Sequence, residues 1–467
     1  MKMWSGRFRQ PLDARFEQWQ RSFPFDKKLL EHELAASRAH ARALRTAGVL
    51  SAEEHALILN GLDRILVRAT EEPGFLDDSE AEDVHHFVEK WLVAVIGDAG
   101  KKLHSGRSRN EQIATDLRLF VREATDALIK QLGEFLDVLL TRAEEQRTSV
   151  MPAYTHLQRA EPVLVSHWLL AYFEMFWRDA ARLADCRQRL NECPLGSGAI
   201  SGAPLPLERK SVAQELGFDR PTANSMDATS DRDFLIEFVG VLTLLGVHLS
   251  RWAEELILFA TQEYGFIHLP EAYSTGSSAM PQKQNPDSLE LIRAKAARLI
   301  GCHVTLLTNL KGLPLAYNKD LQDTQEPLFE AAATSNACLE IATGFMHSVQ
   351  FNCDRMREAC EHGFMNALAA ATYLAHKGVP FRQAHEVVAH AVQKCVEKGC
   401  ELQDLTIEEL REFSPAFGDD IYSRLQLDAV LDCHDVHGGT APRRVADALR
   451  EARERLEELR EAQVAHA

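Results

Sequence analysis

The sequence predicts an all-α protein built around a central bundle of long helices. Apolar residues recur at helical spacing over long stretches, prolines fall mostly between those stretches, and strand-type alternation is absent. No β-α-β alternation is present either. Because 467 residues exceed the size of one ordinary hydrophobic core, we expect two or three domains.

Five segments in the middle of the chain are predicted to be long helices. In 112–148, Leu117, Phe120 and Val121 begin an apolar series with the spacing of one helix face. Pro327 falls in the first turns of the last segment, where proline disturbs a helix least. At 1.5 Å per residue, such helices would be about 35–55 Å long. The five segments are 112–148, 163–190, 233–264, 287–310 and 322–350.

The two ends of the chain have shorter helical patterns and predict smaller domains on either side of the bundle. We therefore expect three domains, at 1–111, 112–362 and 363–467. The stretch 239–249 is apolar nearly all round, and a helix of that kind is usually buried on several sides. An oligomer of bundles would cover it, whereas a large monomeric bundle is the alternative.

Charge and cysteine content exclude several classes of function. The formal net charge of −17 argues against nucleic acid and against an anionic membrane surface as partners. The first residues lack the apolar run of a signal peptide, and no stretch reaches the roughly 20 uncharged apolar residues of a membrane span. The nine cysteines include no Cys-x-x-Cys pair, so neither disulfides nor a zinc site is expected. We expect a soluble protein of the reducing cytoplasm.

A glycine-rich loop at 195–202 has the spacing Gly-x-Gly-x-x-x-Gly. Such a loop can cradle phosphate when it follows a strand and opens a helix. No strand is predicted before it, and prolines flank it at Pro194, Pro204 and Pro206. A structural turn beside a binding site is therefore favoured over nucleotide binding.

The loop 276–286 carries two hydroxyls, an ammonium and an amide between a glycine and a proline. Ser277, Ser278, Lys283 and Asn285 could bind carboxylates and stabilise an oxyanion. The loop opens the predicted helix 287–310, whose N-terminal dipole also favours anions. A loop that closes over an anion and a plain inter-helix linker both fit this composition.

Two further loops concentrate polar and basic side chains. The first, 151–162, contains Thr155, His156, Gln158 and Arg159. A lone loop histidine is more often a surface residue than a catalyst, but the donors around His156 favour a site. The second, 103–110, carries Arg107, Ser108, Arg109 and Asn110, which suit either a solvated basic turn or a carboxylate clamp.

Together, these basic loops in an acidic chain predict one polyanionic small substrate. No Gly-x-Ser-x-Gly nucleophile motif occurs, and no metal-ligand cluster is visible, because His85 and His86 form an isolated pair. The remaining possibility is acid–base chemistry without a cofactor or metal.

Residues 276–286, Gly-Ser-Ser-Ala-Met-Pro-Gln-Lys-Gln-Asn-Pro, match completely the signature of the fumarase/aspartase superfamily. Within it the chain resembles the argininosuccinate lyase family, over about residues 3–440. The resemblance implies a three-domain all-α subunit and a homotetramer with a central twenty-helix bundle, in which three chains build each active site. It also implies cofactor-free, reversible β-elimination of fumarate from argininosuccinate, giving arginine in arginine biosynthesis. The supporting segments are 3–8, 102–110, 154–158, 224–230 and 316–322.

The same resemblance implies roles for individual residues. Ser277 would be the general base, His156 the proton donor, and Glu290 the carboxylate that orients His156. Lys283 and Asn285 would stabilise the dianion that forms when the proton beside a carboxylate is removed. The other implied substrate contacts are Ser22, Asp26, Arg109, Asn110, Thr155, Tyr317 and Gln322, with His85, Ser108 and Arg232 as weaker matches.

The chain departs from the family pattern at one position that matters for binding. Gln325 stands where the family commonly has a lysine that helps to hold the substrate, so one charge-assisted contact is in question. A superfamily lyase with another substrate, such as adenylosuccinate lyase or fumarase, is one alternative. A structural protein resembling the delta-crystallins is the other, but the presence of Ser277, His156, Lys283 and Asn285 favours an enzyme.

Overall fold

The computed structural model describes residues 10–466, with side chains described for residues 10–461. The predicted all-α class is confirmed, and the motif at 3–8 lies outside the described residues. The helices before the long ones are α1 Ala14–Trp19, α2 Phe23–Asp26, α3 Leu30–Thr46, α4 Ala52–Glu71, α5 Val84–Ile96 and α6 Asp98–Lys101.

Five long helices follow at the predicted places. They are α7 Arg109–Glu145, α8 Val165–Leu190, α11 Asp233–Phe259, α12 Asp287–Leu310 and α13 Gln325–Ser348, with the short α9 Arg209–Glu215 and α10 Ser225–Ser230 between them. The predicted segment 322–350 begins late because Lys319–Thr324 forms a 3-10 helix. The predicted segment 233–264 ends early, in a turn that contains Gly265 at φ 63°.

The chain ends in a series of mostly shorter helices. They are α14 Cys353–Cys360, α15 Ala367–His376, α16 Phe381–Lys398, α17 Ile407–Phe413, α18 Ile421–Leu425, α19 Leu427–Asp432 and α20 Pro442–His466. A cluster of buried apolar residues centred on α15 and α16 forms the core of this region and includes Leu374, Val388 and Phe417.

Within the described residues the strands form two-stranded sheets, and most of the strands have only two residues. The segment 151–162, predicted as a loop, is mostly an antiparallel hairpin of β1 Val150–Thr155 and β2 Gln158–Leu164. Its prolines concealed the strands, since Pro152 and Pro162 face each other and the register is irregular beside them. The other strands are β3 Glu192–Cys193, β4 Arg220–Pro221, β5 Ile267–His268, β6 Thr275–Gly276, β7 Gln284–Asn285 and β8 Gln350–Phe351.

The chain divides into two compact units. The first consists of Met1–Ile129, Ala181–Leu244 and Ala297–Asn336, and the second of Lys130–Ala180, Leu245–Ala296 and Ala337–Ala467. Each of the five long helices contributes residues to both units. The three domains with boundaries after 111 and 362 stay a prediction.

Aromatic side chains mark the core of each unit. In the first, Phe23 stacks on Phe87 with ring centroids 4.8 Å apart. In the second, Phe135 packs edge-on against Phe176 at 4.9 Å and against Trp252 at 5.6 Å. These rings are almost fully buried, and such aromatic pairs contribute about 0.5–1.5 kcal/mol beyond their area.

Helix α11 is long and apolar enough to cross a membrane by length and composition alone. Half of its most apolar window is buried within the described chain, and the core helix of a soluble protein passes the same test. This helix therefore carries no membrane assignment.

Candidate active site

A cavity of about 160 Å³ lies in the first unit, and seven predicted site residues line it. They come from three places in the sequence: the start of α2, the first turn of α7, and the segment that leads into α13. The cavity is lined by Ser22, Asp26, Asp83, His85, Arg109, Asn110, Ile113, Tyr317, Lys319, Gln322 and Gln325.

Asp26 is the most perturbed carboxyl group on the cavity wall. It is 1% exposed, and its Oδ1 accepts a hydrogen bond of 3.1 Å from the backbone amide of Val84. Burial and the neighbouring charge of Asp83 raise the pKa of Asp26 to about 7. Near neutral pH this carboxyl group can therefore hold or release a proton.

Arg109 is fixed on the cavity wall by two carboxylates. Its Nη1 donates to Asp83 Oδ2 at 2.7 Å and lies 3.3 Å from Glu82 Oε2. Lys319 Nζ is 3.7 Å from Glu82 Oε1, so a second cation reaches the same acidic group. Neither Asp83 nor Lys319 was recognisable as a cavity residue from the sequence. Asp83 looked like an ordinary helix cap, and it does accept from the backbone amide of His86 at 2.7 Å.

Arg107 does not belong to the predicted carboxylate clamp. Its side chain is 4% exposed, donates to Ser37 Oγ at 2.8 Å and approaches Glu33 Oε1 at 3.6 Å. Of the two arginines in that loop, only Arg109 lines the cavity. The reading as a solvated basic turn is also wrong for Arg107, because a buried charge network holds it.

The glycine-rich loop is a structural turn, as favoured from the sequence. The buried carboxylate of Glu111 accepts from the backbone amides of Gly196 at 2.6 Å, Gly198 at 2.8 Å and Ser108 at 3.0 Å. Those glycine amides are what a phosphate would need, and a carboxylate already occupies them. The loop in turn fixes Asn110, whose Nδ2 donates to Ala199 O at 3.2 Å.

Gln325 and Arg232 are buried side chains with unused hydrogen-bonding atoms. Gln325 is 3% exposed and lines the cavity, and its Oε1 has no partner among the described residues. Arg232 is fully buried, and its Nε and Nη2 also lack partners within residues 10–461. Burial lowers the pKa of Arg232 to about 10. Gln322 is held in place because its Nε2 donates to Gln20 O at 3.0 Å.

The other predicted site residues belong to the second unit, where Thr155 and His156 lie at the tip of the β1–β2 hairpin. His156 has φ 54° and Leu157 φ 58°, so both central residues of the turn are left-handed. Glycine, asparagine and aspartate are the usual residues in such a turn, and a leucine there is strained. The side chain of Leu157 is 66% exposed in this chain.

The signature loop connects β6 to β7, and its ends are paired at Thr275 with Asn285 and Gly276 with Gln284. Near its start, Ser277 Oγ accepts from the backbone amides of Ala279 at 3.3 Å and Met280 at 3.1 Å. Two N–H groups therefore point at the hydroxyl oxygen, an arrangement that stabilises negative charge on it. Lys283 is exposed and Asn285 is half-buried.

No hydrogen bond joins His156 to Ser277 or to Glu290 within the described part of this chain. Glu290 instead lies 4.0 Å from Arg293, three residues along α12. The predicted division of roles among these three residues stays a prediction.

The fold brings together three side chains of a kind that metals bind, which the sequence analysis did not anticipate. Ligand-type atoms of Glu33, His85 and Asp116 all lie within 4.8 Å of one another in the buried interior of the first unit. His85 Nδ1, however, is hydrogen-bonded to Glu33 at 3.0 Å, and Arg107 already supplies positive charge beside Glu33. We therefore describe the three side chains as part of a charge network.

Two family models and several known proteins match the sequence of this chain. A family model described as Lyase matches residues 6–301, and one described as Argininosuccinate lyase C-terminal matches residues 364–432. The argininosuccinate lyase of Acidobacterium capsulatum is 58% identical over 464 residues, covering 98% of this chain and 96% of the relative. That of Koribacter versatilis is 58% identical over 463 residues, covering 99% of each.

Solved structures show the same fold. The crystal structure of EDDS lyase in complex with formate superimposes with a TM-score of 0.85 at 26% identity, covering 98% of this chain and 93% of that chain. The fumarate lyase from Mesorhizobium sp. BNC1 superimposes with a TM-score of 0.73 at 24% identity, covering 94% of this chain and 100% of that chain.

Proposed function

This chain belongs to the argininosuccinate lyase family, and we propose on that basis that it cleaves argininosuccinate reversibly into arginine and fumarate. The observation that carries the proposal is the 58% identity to two argininosuccinate lyases over nearly the whole chain. The enzyme is a lyase that acts on a carbon–nitrogen bond. The reaction serves arginine biosynthesis.

The cavity of the first unit suits a substrate with charges of both signs. Argininosuccinate carries three carboxylates, an ammonium and a guanidinium group. Asp26 and Asp83 offer acceptors for its cationic groups, while Arg109 and Lys319 offer donors for its carboxylates. Gln325 stands where the family commonly has a lysine. Lys319 lines the same cavity, so the cavity still contains a lysine ammonium group.

Ser277 is our candidate for the general base. The proton to be removed lies beside a carboxylate and is a very weak acid, so a serine can accept it only as a stabilised anion. The backbone amides of Ala279 and Met280 support this role, because both already donate to the Ser277 oxygen. Lys283 and Asn285 at the end of the loop would stabilise the dianion of the substrate.

His156 would donate the proton to the departing nitrogen, with Thr155 beside it binding the substrate and Glu290 orienting the ring. Within one chain His156 has no partner that would fix its ring for this task, as far as the described residues extend. A neighbouring subunit would have to supply such a partner. The role of His156 therefore depends on assembly.

We propose a cytoplasmic homotetramer with shared active sites. An apolar stripe on α12 supports the assembly, since Ile300, Val304 and Leu307 are 45%, 52% and 46% exposed and follow helical spacing. No charged residue occurs between Leu299 and Leu310. A helix face of this kind normally packs against another protein surface.

The proposal is tested by steady-state assays with argininosuccinate, adenylosuccinate, malate and aspartate, each followed by fumarate formation. We expect turnover with argininosuccinate alone, and loss of that turnover in Ser277→Ala. Preferred turnover of another of these substrates would assign the chain to another activity of the superfamily. No turnover of any of them would support a structural protein instead.

A further inference from the structure

A buried hydrogen-bond network lies behind the cavity and centres on Glu33, a residue of α3 with no exposed surface. The carboxylate accepts from Ser37 Oγ at 2.7 Å and from Gln112 Nε2 at 3.0 and 3.2 Å. It also accepts from His85 Nδ1 at 3.0 Å, and Arg107 Nη2 lies 3.6 Å away. Glu33 is therefore a fixed anion, and its contacts hold it in one position.

The imidazole of His85 connects this network to the cavity. His85 lines the cavity, yet its Nδ1 is bound to Glu33 on the protein side. Its Nε2 is buried and has no hydrogen-bond partner among the described residues. Nε2 is thus the ring nitrogen left for a ligand, and a buried polar nitrogen without a partner costs about 1–3 kcal/mol until a ligand bonds to it.

We propose that Glu33 is a positioning residue that presents His85 Nε2 to the cavity as a charged hydrogen-bond donor for a carboxylate of the substrate. This inference rests on the proposed function, because it assumes an anionic substrate in the cavity. Glu33 does not touch the substrate and acts through the imidazole. The arrangement fixes the orientation of the ring as well as its charge.

The charges around His85 favour the imidazolium form. Four carboxyl groups on different elements surround the imidazole: Glu33 of α3, Asp26 of α2, Asp83 before α5 and Asp116 of α7. The Oδ2 atom of Asp116 lies 3.7 Å from His85 Nδ1. Arg107 and His104 are the opposing groups on the loop before α7. Burial alone would lower the pKa of His85, but Glu33, followed by Asp83 and Asp26, raises it above 6.5.

Asp116 does not compete with Glu33 for the role of counter-ion. It is fully buried, and neither of its oxygens has a hydrogen-bond partner within the described residues. Burial, with the charge of Glu33 beside it, raises the pKa of Asp116 well above its usual range. The carboxylate that is hydrogen-bonded to His85 Nδ1 is that of Glu33, at 3.0 Å, whereas Asp116 Oδ2 lies 3.7 Å away.

The experiment follows the titration of His85 in the full-length enzyme. Histidine labelled with ¹³C at Cε1 is incorporated, and the signal absent from His85→Gln is assigned to His85. We expect this signal to titrate above pH 6.5 in the wild type, and about one pH unit or more lower in Glu33→Gln. Glu255→Gln is the matched control, since it removes a carboxylate that binds Trp168 and Tyr172, and it should leave the signal unchanged.

The kinetic readout separates positioning from a merely structural role. We expect kcat/KM for argininosuccinate to fall as the pH rises through the pKa of His85, and Glu33→Gln to move that fall to lower pH, mainly by raising KM. Titration of wild-type His85 at or below pH 6.5 would overturn the proposal even if Glu33→Gln failed to fold. An unmoved kinetic profile in folded Glu33→Gln would also overturn it. An enzyme without lyase activity but with the expected titration would contradict the proposed function alone.

Discussion

Among individual residues, Ser277 has a hydroxyl oxygen that accepts hydrogen bonds from two backbone amides, those of Ala279 and Met280. We expect Ser277→Ala to keep substrate binding and to lose turnover, because a sole base for so weak an acid contributes at least roughly 10²–10⁴-fold. Single-turnover kinetics with argininosuccinate measure this directly.

Ser278→Ala is the matched control, since it removes the neighbouring hydroxyl and leaves Ser277 in place. Ser278 could help to bind a carboxylate but is not the proposed base, so Ser278→Ala should raise KM at most and keep most of kcat. If Ser277→Ala kept more than about a tenth of wild-type turnover, the base would have to be another group.

Asp26 links the cavity to the stability of the fold. Its folded pKa of about 7 lies above the ordinary value of 3.8, so the stability it confers is complete below about pH 4 and is lost as the pH rises through 7. Asp26→Asn cannot ionise, and we expect it to be more stable than the wild type above pH 7, by about 1–4 kcal/mol, but not below pH 4.

Thermal unfolding at both ends of that range measures the difference. Activity should fall in the same variant, because the proposed site loses the negative charge that would face the substrate's cationic groups. Asp126→Asn, which changes an exposed carboxylate, serves as the control. A gain in Tm that did not depend on pH would show that burial of charge is not the cause.

At the scale of elements, the β1–β2 hairpin combines a catalytic candidate with a strained turn. Leu157 is left-handed at φ 58° and 66% exposed, so in an isolated chain it gains little from burial. We expect Leu157→Asn to raise the free energy of unfolding by about 1 kcal/mol, because asparagine tolerates this conformation. Denaturant unfolding measures it, with Leu57→Asn, an exposed leucine of a helix, as the control.

A decrease in the free energy of unfolding on Leu157→Asn would contradict the expectation that the exposed Leu157 gains little from burial. It would mean that a partner subunit buries the leucine in the assembled enzyme, which would explain why the turn keeps a strained residue.

Some elements of the fold could be predicted from the sequence and others could not. The long helices were predictable because their apolar periodicity extends over many turns. The β1–β2 hairpin was not, because its strands contain prolines at paired positions and their register is irregular. The signature loop was found as a motif, yet only the structure shows that backbone amides surround Ser277.

The Glu33–His85 pair could not be predicted either, since 52 residues separate its members. Helix packing, rather than any local pattern, brings these two side chains together. The same holds for Asp83 and Lys319, which join the cavity through the tertiary fold although each has an ordinary local setting.

At the scale of the whole molecule, the central question is whether subunits share their active sites. His156→Ala and Ser277→Ala should each be nearly inactive alone. If they are denatured together and refolded as a mixture in equal amounts, about a quarter of the sites should draw both wild-type groups and regain activity. An inactive mixture, from conditions in which the wild type refolds well, would mean that each site belongs to one chain or that one residue is misassigned.

The proposed cleavage of argininosuccinate is tested most simply by identifying and quantifying its products. The purified wild-type enzyme should release arginine and fumarate in equal amounts, and the reverse incubation of the two products should regenerate argininosuccinate. Catalysis in both directions should disappear in Ser277→Ala. Argininosuccinate left intact by a folded wild-type enzyme would contradict the proposed activity, and its conversion by Ser277→Ala at more than about a tenth of the wild-type rate would contradict the proposed base.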